Sequence, residues 1–466
     1  PAEAFQPFDH TVQGMRALLE QPYVEGALDT SLAIHTCAHL WWHRDRSDFS
    51  DFSANDATEH FLSSAATPLA VATRDHLPQA LPGSPHEPAR RPRIHYVSDQ
   101  DITGYGVAAR RLIKALVDAG CAMRWTPYVW NVADPLLPHD ELSRIGLDDL
   151  RDIDVEPELM IVHATPEIAH AVEFLRPPGV PLVLQTVWEH ETLQSHWPEL
   201  INRFDAVIVP SQWNADAFIA AGVEVPVIVL PHIYDDGRDG VAAEWLEPVR
   251  RPGALTFHSV AVWRGRKAPD NAISAYARAF GPDDDVLFVL KTTGRAEWDA
   301  VSVTAPDQIK DQTWLRAAEV LRNHTPIPAF HLVTQELSFA ELAGLRQLSD
   351  VWLSLPRAEG WDLGCFDAAV AGLPVVTTGF GGPLEYLDPE LSHLVPGELV
   401  ENPIVAGAMW LSPDLDVAAE LLQAIYQDPQ SARQKAELQG RRLRLRHAPD
   451  LIAEELLMKL RQLGLI

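Results

Sequence analysis

The chain has 466 residues, 47% of them hydrophobic and 22% charged, which is globular chemistry on a scale of several domains of ~150 residues each. Against 37 Lys and Arg stand 65 Asp and Glu, a net charge of −28; this excludes the basic surface that nucleic-acid binding requires and gives no attraction to an anionic membrane face. Three dispersed cysteines, Cys37, Cys121 and Cys365, exclude a disulfide framework and CxxC zinc spacing.

No apolar run approaches the ~18 residues of a membrane span, so no transmembrane segment is expected. The N-terminus lacks a basic-then-apolar signal pattern, and a cytoplasmic protein is expected. Residues 1–90 are expected to form a mostly helical extension, with apolar positions such as Met15, Leu18 and Leu19. Within it, His35, His39 and His43 recur every fourth residue around Cys37. Such spacing would align three imidazoles on one helix face, but Leu40, Trp41 and Trp42 favour an aromatic packing surface over a metal site. The segment ends in Leu81-Pro-Gly-Ser-Pro-His-Glu-Pro-Ala-Arg-Arg-Pro, too rich in proline for helix or central strand, and hence a linker.

The texture then changes to short apolar runs separated by helical stretches. The first series is Ile94–Val97, Leu159–Val162, Pro181–Val187, Ala206–Val209 and Val225–Leu230. After a charged stretch near Asp235–Arg251, a second series follows: Leu255–Val262, Val286–Leu290, Phe330–Val333, Val351–Leu355 and Pro374–Thr377. Runs apolar on both faces suit buried parallel strands, and the stretches between them are long enough for crossover helices. The expected fold is α/β: two Rossmann-like, doubly wound domains, 91–240 and 250–440, facing each other across a cleft. Residues 441–466 are expected to be a helical tail.

Three loops carry chemistry. Asp101-Ile-Thr-Gly-Tyr-Gly-Val-Ala-Ala-Arg-Arg follows the first strand; Gly104 and Gly106 allow close backbone approach, and the helix behind them offers N–H groups to an anion. Taken alone, such glycines are as readily turn formers. The stretch Phe257-His-Ser-Val-Ala-Val-Trp-Arg-Gly-Arg-Lys delivers Arg264, Arg266 and Lys267 to a strand end, a placement suited to a diphosphate or, more simply, to a solvated basic loop. Only six lysines occur in the chain, and Lys291 ends another strand of the same series. The third loop is Arg357-Ala-Glu-Gly-Trp-Asp-Leu-Gly-Cys-Phe-Asp-Ala-Ala-Val-Ala-Gly-Leu-Pro-Val-Val, where Glu359 and Asp367 stand eight residues apart. Thr378-Gly-Phe-Gly-Gly-Pro-Leu-Glu follows, with Gly381 and Gly382 freeing backbone N–H groups.

The block Ser354–Glu385, together with Asp205-Ala-Val-Ile-Val-Pro-Ser-Gln-Trp-Asn, Pro231-His232 and Arg266-Lys267, resembles the signature of retaining GT-B glycosyltransferases of the family 4 group, over roughly residues 93–466. The resemblance implies a transferase that moves a sugar from a nucleoside-diphosphate sugar to a glycan or other acceptor hydroxyl, without a metal or other cofactor. It implies that Arg266 and Lys267 neutralise the donor diphosphate and that Glu359, followed by Gly360 and Trp361, lies near the transferred sugar. Asp367 stands where the family usually has a glutamate that contacts ribose, one methylene shorter here. Gly104 and Gly106 match the glycine loop that reaches the donor phosphate. Arg264 substitutes for an arginine the family places several residues earlier, where this chain has Ala261 and Val262. A histidine near the reacting carbon is implied as well, and His163 and His190 both qualify, with His163 favoured. Glu189, beside His190, shares the acceptor side of the expected cleft. Asp152 and Asp154 read as surface acids. Two other readings of the same architecture are a sugar-nucleotide epimerase and a degenerate binding or assembly module.

Overall fold

The computed structural model describes residues 90–100, 102–128, 146–151, 153–235, 251–293 and 312–466. The expected helical extension and proline-rich linker, the His35/His39/His43 series and Asp152 lie outside these residues. The chain divides into two units at Arg90/Arg91, and the second unit, Arg91–Ile466, carries both series of strands.

Two six-stranded sheets form this unit, and every pairing within them is parallel. The first contains β1 (Arg93–Asp99), β2 (Ala122–Tyr128), β3 (Leu159–His163), β4 (Leu182–Gln185), β5 (Ala206–Val209) and β6 (Val227–Val229), in the order β2-β1-β3-β4-β5-β6. The second contains β7 (Leu255–Val260), β8 (Val286–Lys291), β9 (Phe330–Val333), β10 (Val351–Ser354), β11 (Val375–Thr378) and β12 (His393–Val395), in the order β12-β11-β10-β7-β8-β9. A short antiparallel hairpin, β13 (Gly397–Glu401) and β14 (Met409–Pro413), comes next.

The apolar runs become strands for the reason expected. β3 and β8 are buried along their whole length, because helices cover both faces of a parallel sheet. β2 escapes a hydrophobicity reading: it is an edge strand whose first residues alternate between exposed and buried, and its sequence Ala-Met-Arg-Trp-Thr-Pro-Tyr forms no continuous apolar run.

Each order reverses once. In the first sheet the reversal lies between β1 and β3, and in the second between β7 and β10. At such a switch point adjacent loops leave in opposite directions, opening a crevice beyond the strand ends where ligands bind. The loops at these points are those after β1 (Gly104, Gly106), at the end of β3 (His163), after β7 (Arg264, Arg266, Lys267) and after β10 (Glu359).

The expected tail is two helices on two different cores. α10 (Pro429–Arg446) packs on α8 (Leu363–Val370) of the second domain. Pro449 then opens α11 (Pro449–Gln462), which returns to the first domain and packs on α1 (Gly104–Asp118). Its Ile452, Ala453, Leu456, Leu457 and Leu460 share a core with Ile94, Ile113 and Leu116. Arg91 pairs with Glu454, and Lys459 Nζ donates to the Val229 carbonyl at 2.6 Å.

Candidate functional site

The loop after β7 is built to present two cations. Ala268 takes a left-handed conformation, φ 39°, and hands the chain to α5 (Pro269–Ala279), whose first residue is a proline. A left-handed alanine costs about 1–2 kcal/mol, and the neighbouring loop over-determines it. The Arg357 N–H donates to the Arg266 carbonyl at 2.8 Å, Arg357 Nη1 to the Gly265 carbonyl at 3.0 Å, and Arg266 Nη1 to the Ala358 carbonyl at 3.0 Å.

Between these two loops sits Glu359, buried at 4% exposure. Its Oε2 lies 2.7 Å from Arg266 Nη1 and its Oε1 2.7 Å from Lys267 Nζ. A carboxylate oxygen has two acceptor positions, so Oε1 can still take a further donor beside Lys267. Burial pushes the Glu359 carboxyl up, but Arg266 and Lys267 outweigh it and hold the group below the usual carboxylate range. Arg266 reaches across to the first domain, where Glu189 Oε1 stands 2.9 Å from its Nη2. Burial works against its charge, while Glu189 and Glu359 more than offset that and keep the guanidinium ionised.

The loop bearing Glu359 is wedged on both sides. A Cβ at Gly360 would run into Val187 and stand 2.6 Å from the Trp188 carbonyl; one at Gly382 would overlap the Gly360 carbonyl. The Gly382 N–H donates to the Glu359 carbonyl at 2.8 Å. Trp361 is buried, edge-on to His232 at 5.5 Å and against Tyr386 at 4.9 Å, so it is a wall of the loop and not an exposed stacking platform. Asp362 follows with φ 64°, a strained conformation for a residue with a side chain, and its carboxylate caps Cys365 N at the start of α8. Burial raises its pKa to about 6, with Lys267 pulling against that rise.

From the opposite domain, Gly104 brings the N-terminus of α1 to the start of α8: a Cβ on it would lie 4.0 Å from Leu363 Cδ1. Two helix N-termini therefore converge near Lys267 and Glu359, adding their positive dipole ends to the two cations. Such an arrangement is suited to a polyanion held across the cleft. Lys291 is buried at the end of β8, with Nζ donating to its neighbour's carbonyl, Thr292 O, at 2.7 Å; burial lowers its pKa, and Glu336 acts the other way.

His163 is fixed by a relay. Tyr96 Oη donates to Gln185 Oε1 at 2.8 Å, so it must accept from His163 Nδ1 at 3.1 Å, which leaves Nε2 as the acceptor. His190 sits elsewhere, stacked edge-on with Trp188 at 5.0 Å and contacted by Asn402 Nδ2 at 3.3 Å. Glu191 and Thr192 continue that contact, meeting Met409 N at 2.7 Å and the Gly407 carbonyl at 3.3 Å, so the loop carrying His190 is clasped by the β13–β14 hairpin.

Burial lowers the pKa of four histidines, His163, His232, His258 and His447, to about 3. Each folded pKa lies below the unfolded value, so the unfolded chain binds more protons whenever the pH drops below about 6.5. Stability is full above that pH and falls by about 1.4 kcal/mol per pH unit per histidine below it. The melting temperature, followed by tryptophan fluorescence, is expected to drop steeply between about pH 6 and 4; a flat profile across that range would mean these rings are not buried neutral.

The sequence alone singles out Arg264, Arg266, Lys267, Glu359, Gly360, Gly381 and Gly382; the structure gathers all but Arg264 around Glu359, and Arg264 is exposed on the loop that carries Arg266 and Lys267. It does not single out Arg111, Arg346, Asp362, Tyr96 or Asn402. Only Asp362, three residues ahead of a helical N–H, leaves a local signal, that of an N-cap. Among the described residues no group of three or more His, Cys, Asp or Glu could hold a metal ion, and no helix is long and apolar enough to cross a membrane.

No protein-family profile and no curated protein sequence matches the chain. Solved structures do. Sucrose-phosphate synthase from Thermosynechococcus elongatus aligns with a TM-score of 0.57 at 15% identity, over 80% of this chain and 99% of that one. The α,α-trehalose 6-phosphate synthase of Burkholderia multivorans gives 0.56 at 15% identity, over 80% and 97%. A UDP-forming α,α-trehalose-phosphate synthase from Burkholderia xenovorans gives 0.54 at 14%, over 80% and 99%. At such identity the likeness is one of fold, and it agrees with the strand orders and switch points above: residues 91–466 have the GT-B architecture.

Proposed function

We propose that the chain is a glycosyltransferase that moves a sugar from a nucleoside-diphosphate sugar to an acceptor hydroxyl with retention of anomeric configuration, and that it needs no metal. The observation that carries this reading is the Arg266–Lys267–Glu359 ion triad at the switch point of the second domain, opposite the α1 N-terminus. In this reading the diphosphate takes Arg266 and Lys267 as its partners. Charge develops on the leaving phosphate oxygen as the glycosidic bond breaks, and each fixed cation contributes about 1.5–3 kcal/mol through a charge-assisted hydrogen bond, more where water is excluded. Glu359, held ionised, accepts from sugar hydroxyls. Neutral His163 offers Nε2 as an acceptor to a hydroxyl near the reacting carbon. Retention rests on the sequence resemblance alone.

Uridine is the first base to test, because one of the similar structures is described as UDP-forming. Sugar phosphates join glycans as acceptors to test, because the similar structures are named as sugar-phosphate synthases. The experiment is a thermal-shift screen of UDP, GDP, dTDP, ADP and CMP with their common sugar conjugates. A ligand at about 100 times its dissociation constant stabilises by about 2.7 kcal/mol. One nucleoside diphosphate is expected to raise the melting temperature; a shift with none of them would overturn the donor site. Release of free nucleotide, in place of an epimerised sugar nucleotide, separates the transferase from an epimerase.

The second reading, a degenerate binding or assembly module, is favoured by one observation: both oxygens of the Asp367 carboxylate are already engaged by the protein. It predicts nucleotide binding without turnover.

A further inference from the structure

We propose that Asp367 is a clamp between the two domains and not a reader of ribose, and that Arg111 is its positioning partner. Asp367 lies in α8 at 6% exposure. Its Oδ1 accepts from Arg111 Nη1 at 3.0 Å and from the Asp235 N–H at 2.9 Å; its Oδ2 accepts from Arg111 Nη2 at 2.6 Å and has Arg346 Nη1 at 3.8 Å. A carboxylate has about four acceptor positions, and three are filled by directed bonds while a second guanidinium flanks the fourth.

The partners come from every side of the domain junction. Arg111 belongs to α1 of the first domain and also donates to the Ile233 carbonyl at 3.0 Å. Asp235 ends the described part of the crossover between domains. Arg346 belongs to α7 (Phe339–Leu348) of the second domain and donates to Asp235 Oδ2 at 2.8 Å. One buried carboxylate thus ties α1, the crossover, α7 and α8 together. The fork-to-fork geometry of Arg111 on Asp367 fixes orientation as well as distance. Arg111 stands two helical turns after Gly104, so the clamp sets how the α1 N-terminus faces the start of α8.

Two measurements test this. The first needs no ligand: a double-mutant cycle of Arg111→Met and Asp367→Asn, read as melting temperature. Removing one partner of a buried pair costs several kcal/mol, so each single variant is expected to lower the midpoint by roughly 4–6 °C in a unit of this size. The double variant is expected to fall little further than either single one. Additive losses would overturn the clamp.

The second rests on the proposed donor reading and compares UDP with its 2′-deoxy and 3′-deoxy forms by calorimetry. With Asp367 occupied by Arg111, Asp367→Asn is expected to weaken all three by the same factor. A ribose contact would instead give the native protein a preference of about tenfold or more for UDP that vanishes in the asparagine variant, and that result would overturn the proposal. Absence of any nucleotide binding would count against the donor reading, while the thermal cycle still decides the clamp.

Discussion

Lys267→Ala is expected to lower turnover by at least about 10²–10³-fold while leaving the fold intact. The fold survives because Lys267 belongs to a loop and not to either core, and because Glu359 keeps Arg266 at 2.7 Å as a partner after the lysine is gone. What is lost is a cation already within 2.7 Å of the buried carboxylate, fixed before any charge develops on a departing diphosphate. Preorganised charge of this kind is worth more than charge recruited from solvent, since no reorganisation is needed as the reaction proceeds. Steady-state turnover with the donor identified by the thermal screen, alongside a melting curve, checks both halves. Full activity with an unchanged melt would remove Lys267 from the donor site.

Gly382→Ala is expected to be nearly as damaging for a different reason. The added methyl would overlap the Gly360 carbonyl and stand 2.7 Å from Trp361 N, so the loop carrying Glu359 would have to retreat. It has nowhere to go, because Gly360 already lies so close to Val187 and to the Trp188 carbonyl that it has no room for a Cβ of its own. A displacement of about 1 Å at a reacting group costs on the order of 100-fold in rate, and overpacking adds about 1–3 kcal/mol of instability. Gly281→Ala, whose new carbon would meet only Asp284 Oδ2 at 3.8 Å, is the matched control. Native turnover and melting temperature in the Gly382 variant would show that these loops yield more easily than their backbone contacts imply.

Both predictions concern residues that are legible in the amino-acid sequence, and the reason is physical. Parallel strands buried on both faces leave continuous apolar runs, and groups needed at strand ends must follow those runs within a few residues. Arg266, Lys267 and Glu359 therefore stand out locally. The strand orders do not: nothing in the sequence of β10 says that it lies beside β7, and that adjacency is what puts Glu359 against Lys267. Arg111 and Asp367 are 256 residues apart, and neither carries a local mark of the other. The resemblance to retaining transferases assigns Asp367 to ribose, and nothing in that local motif shows that Arg111 engages both oxygens of its carboxylate. Glu189 reads in the sequence as an acceptor-side residue of the cleft; that it meets Arg266 is a property of two domains brought together. Only their surroundings separate His163 from His190, a tyrosine relay for one and a hairpin clasp for the other.

The return of α11 to the first domain has a consequence for synthesis. Val229 closes the first sheet, yet the lysine that binds its carbonyl comes 230 residues later, on the helix whose leucines complete the core around Ile94 and Ile113. While the ribosome makes the second domain, α11 is not yet available to cover its face of α1. The first domain is thus translated first but finished last. Its apolar core closes only when Ile452 to Leu460 emerge, so the order of synthesis and the order of completion run opposite ways.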